Sequence, residues 1–134
     1  MKLVRQKHEY GCVIACIAMI TGISYDEALK VCLPNRKSGQ KIIGVMVNNC
    51  FFKRISKLGF KFREVKPALS YKKDALVSIL HPIYGGNCRH MIIWSKKLKR
   101  YLDPFPNRNR KMKKQLPQKS YRENTIGAFV LIDK

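Results

Sequence analysis

Acidic residues are scarce in this chain. Asp and Glu number 8 against 28 Lys and Arg over 134 residues, a formal net charge of +20. That excludes a balanced surface and predicts attraction to polyanions: nucleic acid, an anionic membrane face or an acidic protein. Long apolar runs are missing too. The longest uncharged stretch, Tyr10 to Tyr25, is interrupted by Gly11, Thr21, Gly22 and Ser24. It is too short for a membrane span, which needs about 20 apolar residues. It also follows a charged segment and lacks the small-residue cleavage site of a signal peptide. There is no C-x2-C pair: the cysteines follow the spacing C-x3-C, x15, C, x17, C, x37, C. A closed zinc site would want such pairs, so no metal is expected. The cysteine count is odd, which points to free thiols in a reducing, cytoplasmic compartment. No repeat and no Gly/Ser linker divides the chain, so residues 1–134 read as one domain.

Apolar residues make up 46% of the sequence, enough for a buried core. Val13 to Ile20 is apolar nearly all round, which predicts a buried helix ended by Thr21 and Gly22. Ser24-Tyr25-Asp26-Glu27 has the S-x-x-E form of a capping box, so a second helix runs to about Cys32, stopped by Pro34. Apolar residues between Ile42 and Leu58 recur at helical spacing and predict a third helix. Phe60 and Phe62 alternate with Lys61 and Arg63, as a strand with one basic face does. The second half reads as sheet: Ala75–Leu80, His90–Trp94, Tyr101–Leu102 and Ala128–Ile132. Residues 107 to 122 carry a basic cluster. Helices first and then an antiparallel sheet make an α+β pattern.

Two features carry chemistry. Cys12 opens a buried helix, where unpaired N–H groups and the helix dipole lower a thiol pKa. Gln6, six residues earlier, can turn its amide toward the same point and, with the Cys12 N–H, form an oxyanion hole. His90 is followed across a predicted hairpin by Asp103, an arrangement that orients a general base. Taken singly, each has a blander reading. Cys12 alone is more often a buried structural cysteine, His90 a half-buried surface histidine and Asp103, before Pro104, a turn residue. Cys16 lies one helical turn after Cys12 on the same side and stands as the other thiol candidate. Asn107 is a weaker alternative to Asp103. His8 and His81 read as ordinary loop residues, and Trp94 as core.

The segment Gln6-Lys7-His8-Glu9-Tyr10-Gly11-Cys12-Val13-Ile14-Ala15-Cys16-Ile17-Ala18-Met19-Ile20 resembles the active-site segment of papain-like cysteine peptidases. It is most similar to the double-glycine leader peptidase domains of bacteriocin-exporting ABC transporters. His90-Met91-Ile92-Ile93-Trp94 through Asp103-Pro104 resembles the same family's His-bearing strand and its following Asp-Pro. The resemblance implies a papain-like fold, with helices packed on an antiparallel sheet. It implies a nucleophile at Cys12, a base at His90, an orienting residue at Asp103 and an oxyanion-hole side chain at Gln6. It implies a peptide or protein substrate and no cofactor. The sequence departs from the family pattern at Val13, where Gly usually follows the nucleophile, and at Gly11, where Asp often precedes it. No transporter segment follows, so a stand-alone domain is expected.

The second expectation comes from charge. The cluster Arg108, Arg110, Lys111, Lys113 and Lys114 is the candidate surface for nucleic acid or an acidic protein. On that reading the scaffold serves as a basic binding module, active or not, of a kind that would suit a phage or mobile-element protein.

Overall fold

The computed structural model describes residues 1–42, 44–83, 89–106 and 112–133. Helix α1 (Cys12–Thr21) has every residue from Val13 to Ile20 buried, as its all-round apolar sequence requires. It ends at Gly22, whose φ of 82° closes the helix by an N–H bond to the Ala18 carbonyl. Helix α2 (Tyr25–Cys32) starts where the capping-box sequence predicts: Ser24 Oγ accepts the Glu27 N–H at 3.1 Å. Among the described residues no helix is long and apolar enough to cross a membrane.

Helix α3 is shorter than the spacing predicts. It spans Asn49–Ser56 and not 42–58. Asn48 caps it by accepting the Phe51 N–H at 3.0 Å, which sets the start. Gly44 to Val47 run ahead of it without helical structure. Of the residues that carry the helical period there, Met46 is exposed, Val47 is half-buried and Ile43 lies outside the described residues, while Ile42 is buried and Val45 half-buried beside them.

The strands are β1 (Lys61–Val65), β2 (Ala75–Leu80), β3 (Arg89–Ser95), β4 (Arg100–Leu102) and β5 (Thr125–Asp133). They form one sheet of order β1-β5-β2-β3-β4, with every pair antiparallel. The chain is α+β, as its sequence predicts. Both faces of the sheet are covered. Leu76, Met91, Ile93 and Leu102 pack with α1 to α3 on one face. Ala75, Val77, Ile79, Ile92, Trp94, Ala128 and Val130 pack with Tyr71, Tyr101 and Tyr121 on the other. Burial on two faces is why β2 and β3 read as near-continuous apolar runs, broken at Ser78 in β2, and not as alternation.

Tyr121 comes from a short helix, α4 (Gln118–Glu123), at the end of the basic cluster, where the sequence predicts no element. The segment that carries α4 also covers the open edge of β4. Residues 101 and 103 both turn their N–H and C=O away from β3. Gln118 takes both backbone groups of Tyr101, and Gln115 takes both of Asp103. Two side-chain amides thus stand in for the missing neighbour strand.

Candidate active site

The sheet order places β3 between β2 and β4, so three chain segments meet at one end of the sheet. These are the start of β3 with His90, the residue after β2, His81, and the residue after β4, Asp103. The N-terminus of α1 arrives there from the opposite layer, because α1 packs along β3. Cys16 Sγ donates to the Met91 carbonyl at 3.4 Å and fixes that packing one turn above Cys12. The backbone N–H of Gln6 bonds to the Pro104 carbonyl at 2.9 Å, tying the segment before Cys12 to the one after Asp103.

The Cys12 thiol is hydrogen-bonded to His90 and approached by the backbone N–H groups of Met91 and Val13. His90 Nε2 lies 2.6 Å from Asp103 Oδ1, which leaves Nδ1 as the nitrogen for the thiol. The Phe105 N–H donates to Oδ1 at 2.9 Å and the Tyr121 hydroxyl to Oδ2 at 2.9 Å. The structure therefore brings together Cys12, His90 and Asp103, residues 91 positions apart in the chain.

The electrostatics follow from this packing. Burial opposes ionisation of Cys12, but the hydrogen bond and charge of His90, with the two N–H groups, hold its pKa below the ordinary thiol value. Burial likewise disfavours charged His90, yet Asp103 and Cys12 raise it to about 10. Asp103 is buried, and His81, His90 and the Phe105 N–H keep its carboxyl well below the usual range. Cys16 goes the other way: burial, followed by the charges of Cys12 and Asp103, pushes its thiol up. Of two thiols one turn apart, only Cys12 sits where a thiolate is stabilised.

Gln6 is buried, and both protons of its amide are taken. Nε2 donates to the His8 carbonyl at 2.9 Å and the Glu9 carbonyl at 2.8 Å. Its Oε1 has no hydrogen-bond partner among the described residues. In this conformation Gln6 shapes the turn into Cys12 and does not present a donor for an oxyanion. The donors at that point belong to the first turn of α1, whose N–H groups have no intrahelical acceptor.

His81 differs from its sequence reading. It is 2% exposed, its Nε2 lies 3.7 Å from Asp103 Oδ2, and its ring meets His90 edge to face at 5.2 Å. Nothing local marks it out: only the β2–β3 pairing of Ile79 with His90 brings it here. His81, His90 and Asp103 offer donor atoms within 4.8 Å of one another. Two ligands about 2 Å from a tetrahedral ion stand about 3.3 Å apart, whereas His90 and Asp103 are drawn to 2.6 Å by a direct hydrogen bond. These donors fit a hydrogen-bonded relay better than a coordination shell.

Cys12, His81 and His90 line a cleft of about 500 Å3, within the range of small-molecule and peptide sites. Val13, Val45, Val47 and Phe129 make its walls largely apolar, and the exposed Tyr10 and Met46 stand at it. Val13, where the resembled family has Gly, is one of these walls.

Of the predicted polyanion surface, Lys113 and Lys114 are exposed. Arg108, Arg110 and Lys111 lie outside the described residues, as does Asn107. Only Lys7 and Lys119 among the described Lys and Arg pair with a carboxylate, Asp26 and Glu123. Lys61 and Arg63 on β1 and Arg100 on β4 stand on opposite edge strands of the sheet. Cys12, Cys16, Cys32 and Cys50 are free thiols. Comparison of the chain with protein-family models, with curated proteins and with solved structures finds no match.

Proposed function

We propose that this chain is a papain-like thiol hydrolase, a peptidase that cleaves a peptide or amide bond. One observation carries the reading. Cys12, at the N-terminus of a buried helix, is hydrogen-bonded to His90, whose other side is held by Asp103 at 2.6 Å. A thiol with depressed pKa beside an imidazole with raised pKa is a thiolate–imidazolium pair, the resting state such chemistry needs.

The reaction runs through the chain's own residues. The Cys12 thiolate attacks the carbonyl carbon, and the oxyanion forms at the N–H groups of the first turn of α1. The C–N bond breaks as the leaving amine takes the proton from His90. Water then attacks the thioester, giving its proton to neutral His90, and the acid leaves with Cys12 restored as thiolate. Asp103 remains an anion throughout, because every group that touches its oxygens is a donor. Gln6 adds a donor to the oxyanion only by releasing His8 or Glu9, so its role begins with substrate binding.

The test is a peptide library incubated with the full chain and with its Cys12→Ala variant, read by mass spectrometry. Cleavage that depends on Cys12 supports the reading. Its absence, together with an ordinary alkylation profile for Cys12, ends it.

A second activity is compatible with the first. The +20 charge is what remains after every acidic residue is counted, and only two Lys side chains pair with a carboxylate among the described residues. We infer a surface that gathers nucleic acid or an acidic protein, independent of the cleft.

A further inference from the structure

We propose that His81 is a positioning residue of the site, holding the Asp103 carboxylate and the His90 ring in the orientation that faces Cys12. The inference rests on the thiol-hydrolase reading and adds to it a fourth side chain.

His81 follows directly on the end of β2. Its Nδ1 accepts the Ile83 N–H at 3.2 Å, so in the neutral ring the proton is on Nε2. That nitrogen faces Asp103 Oδ2 at 3.7 Å, longer than a formed hydrogen bond but within electrostatic reach. The carboxylate is therefore flanked by two imidazoles, His90 at Oδ1 and His81 at Oδ2. Tyr121 donates to the same Oδ2 and the Phe105 N–H to Oδ1. Rotation of the carboxylate away from His90 would break donors on both oxygens at once.

The rings are held as well. His81 meets His90 at 5.2 Å and 77°, and Phe105 packs on both, at 6.0 Å and 5.8 Å. His90 thus has an aromatic edge or face on two sides, which fixes the plane in which Nδ1 meets the thiol. A histidine that merely filled space would be replaceable by an apolar ring. This one is turned so that its proton faces the carboxylate, and it lines the cleft beside Cys12. The titratable groups around it come from four elements: Cys12 and Cys16 on α1, His90 on β3, Asp103 after β4 and Tyr121 on α4.

The experiment needs no substrate. Iodoacetamide labelling of Cys12 in the full chain is followed across pH by peptide-resolved mass spectrometry, for the wild type and for His81→Gln, His81→Phe and His81→Ala. Gln places a donor nitrogen near the position of Nε2, and Phe fills the space without one. The expected result is a shared profile for wild type and Gln. In Phe and Ala the midpoint moves up by about half a unit or more, roughly threefold less thiolate below the midpoint. The direction follows from the geometry: without the His81 ring beside them, the Asp103 carboxylate and the His90 ring are less closely held, His90 keeps its proton less tightly, and the thiolate loses part of its partner's charge. On a peptide substrate the same variants lower kcat and leave KM unchanged.

A Phe variant with the wild-type profile overturns the proposal and makes His81 a packing residue. So does loss of the fold in both Gln and Phe variants, seen by circular dichroism. If wild-type Cys12 itself titrates as an ordinary thiol, the thiol-hydrolase reading fails and this proposal with it, which separates the two failures.

Discussion

Gln115 holds both backbone groups of Asp103. Its Oε1 accepts the Asp103 N–H at 2.9 Å and its Nε2 donates to the Asp103 carbonyl at 2.8 Å. The backbone that carries the carboxylate is thereby fixed on a sheet edge that has no neighbour strand. Gln115→Leu leaves a buried donor and acceptor without partners, a loss of about 1–3 kcal/mol. The expected outcome is a lower Tm and a lower kcat with KM retained. A variant with full kcat would show that Asp103 is placed by its side chain alone.

Removal of site residues should separate by role. Cys12→Ala abolishes cleavage. His90→Ala lowers kcat by on the order of 10^3, since both proton transfers pass through this ring. Asp103→Asn keeps an acceptor for His90 and loses less than Asp103→Ala, which loses on the order of 10^2 or more. Steady-state kinetics on any peptide found to be cleaved checks the order. Equal losses for Asn and Ala would mean that orientation of His90 is not what Asp103 provides.

The pH dependence has two limbs. Cys12 titrates below its ordinary value, so labelling is already fast below about pH 8.5, where a free thiol is mostly protonated. His90 keeps its proton up to about 10, and cleavage falls as pH rises through that value because the leaving amine then has no acid. The same shift acts on stability. His90 titrates near 6.5 in an unfolded chain, so its stabilising contribution is complete below that pH and is lost as pH rises through about 10. Asp103, held below the usual carboxylate range, contributes above about pH 4 and its contribution is lost as pH falls through its lowered value. Cys32, pushed up to about 12, and buried Cys16 stay unlabelled, and exposed Cys50 is the internal comparison. Labelling of Cys50 ahead of Cys12 at pH 6 would contradict the assignment.

Gly11 is required by space and not by backbone angle. Its φ is −95°, open to any residue, but a Cβ there would collide with the Tyr25 hydroxyl and press on the His8 carbonyl. Tyr25 Oη and His8 Nδ1 are themselves 3.1 Å apart. Gly11→Ala must displace that contact and the turn before Cys12. The expected result is about 1–3 kcal/mol of destabilisation and slower labelling of Cys12. Unchanged stability and reactivity would show that the turn yields freely.

Binding of nucleic acid should fall steeply with salt, with a log–log slope of about −0.9 per phosphate contact on duplex DNA. Neutralising Arg108, Arg110, Lys111, Lys113 and Lys114 together should flatten the slope and leave Cys12 labelling unchanged. Fluorescence anisotropy at two salt concentrations is enough. A flat response in the wild type would assign the charge to an acidic protein partner or to solubility.

Local signals determined much of this protein. The apolar run of α1, the Ser24 cap of α2 and the two-face apolar strands β2 and β3 are short-range patterns, and each formed where the sequence placed it. Cys12, His90 and Asp103, candidates by their positions in the sequence, lie together in the structure. Tertiary structure decided the rest. The helix expected over Ile42 to Leu58 begins only at Asn49, because the Asn48 side chain caps the Phe51 N–H there. Tyr121 and Gln115, hidden in a run of positive charge, reach Asp103 because α4 and the segment before it cover the edge of β4. His81 enters the site only through the β2–β3 register. A hydrogen bond between residues many positions apart leaves no period and no local motif, so the sequence offered Cys12, His90 and Asp103 one by one and the sheet brought them, and what holds them, together.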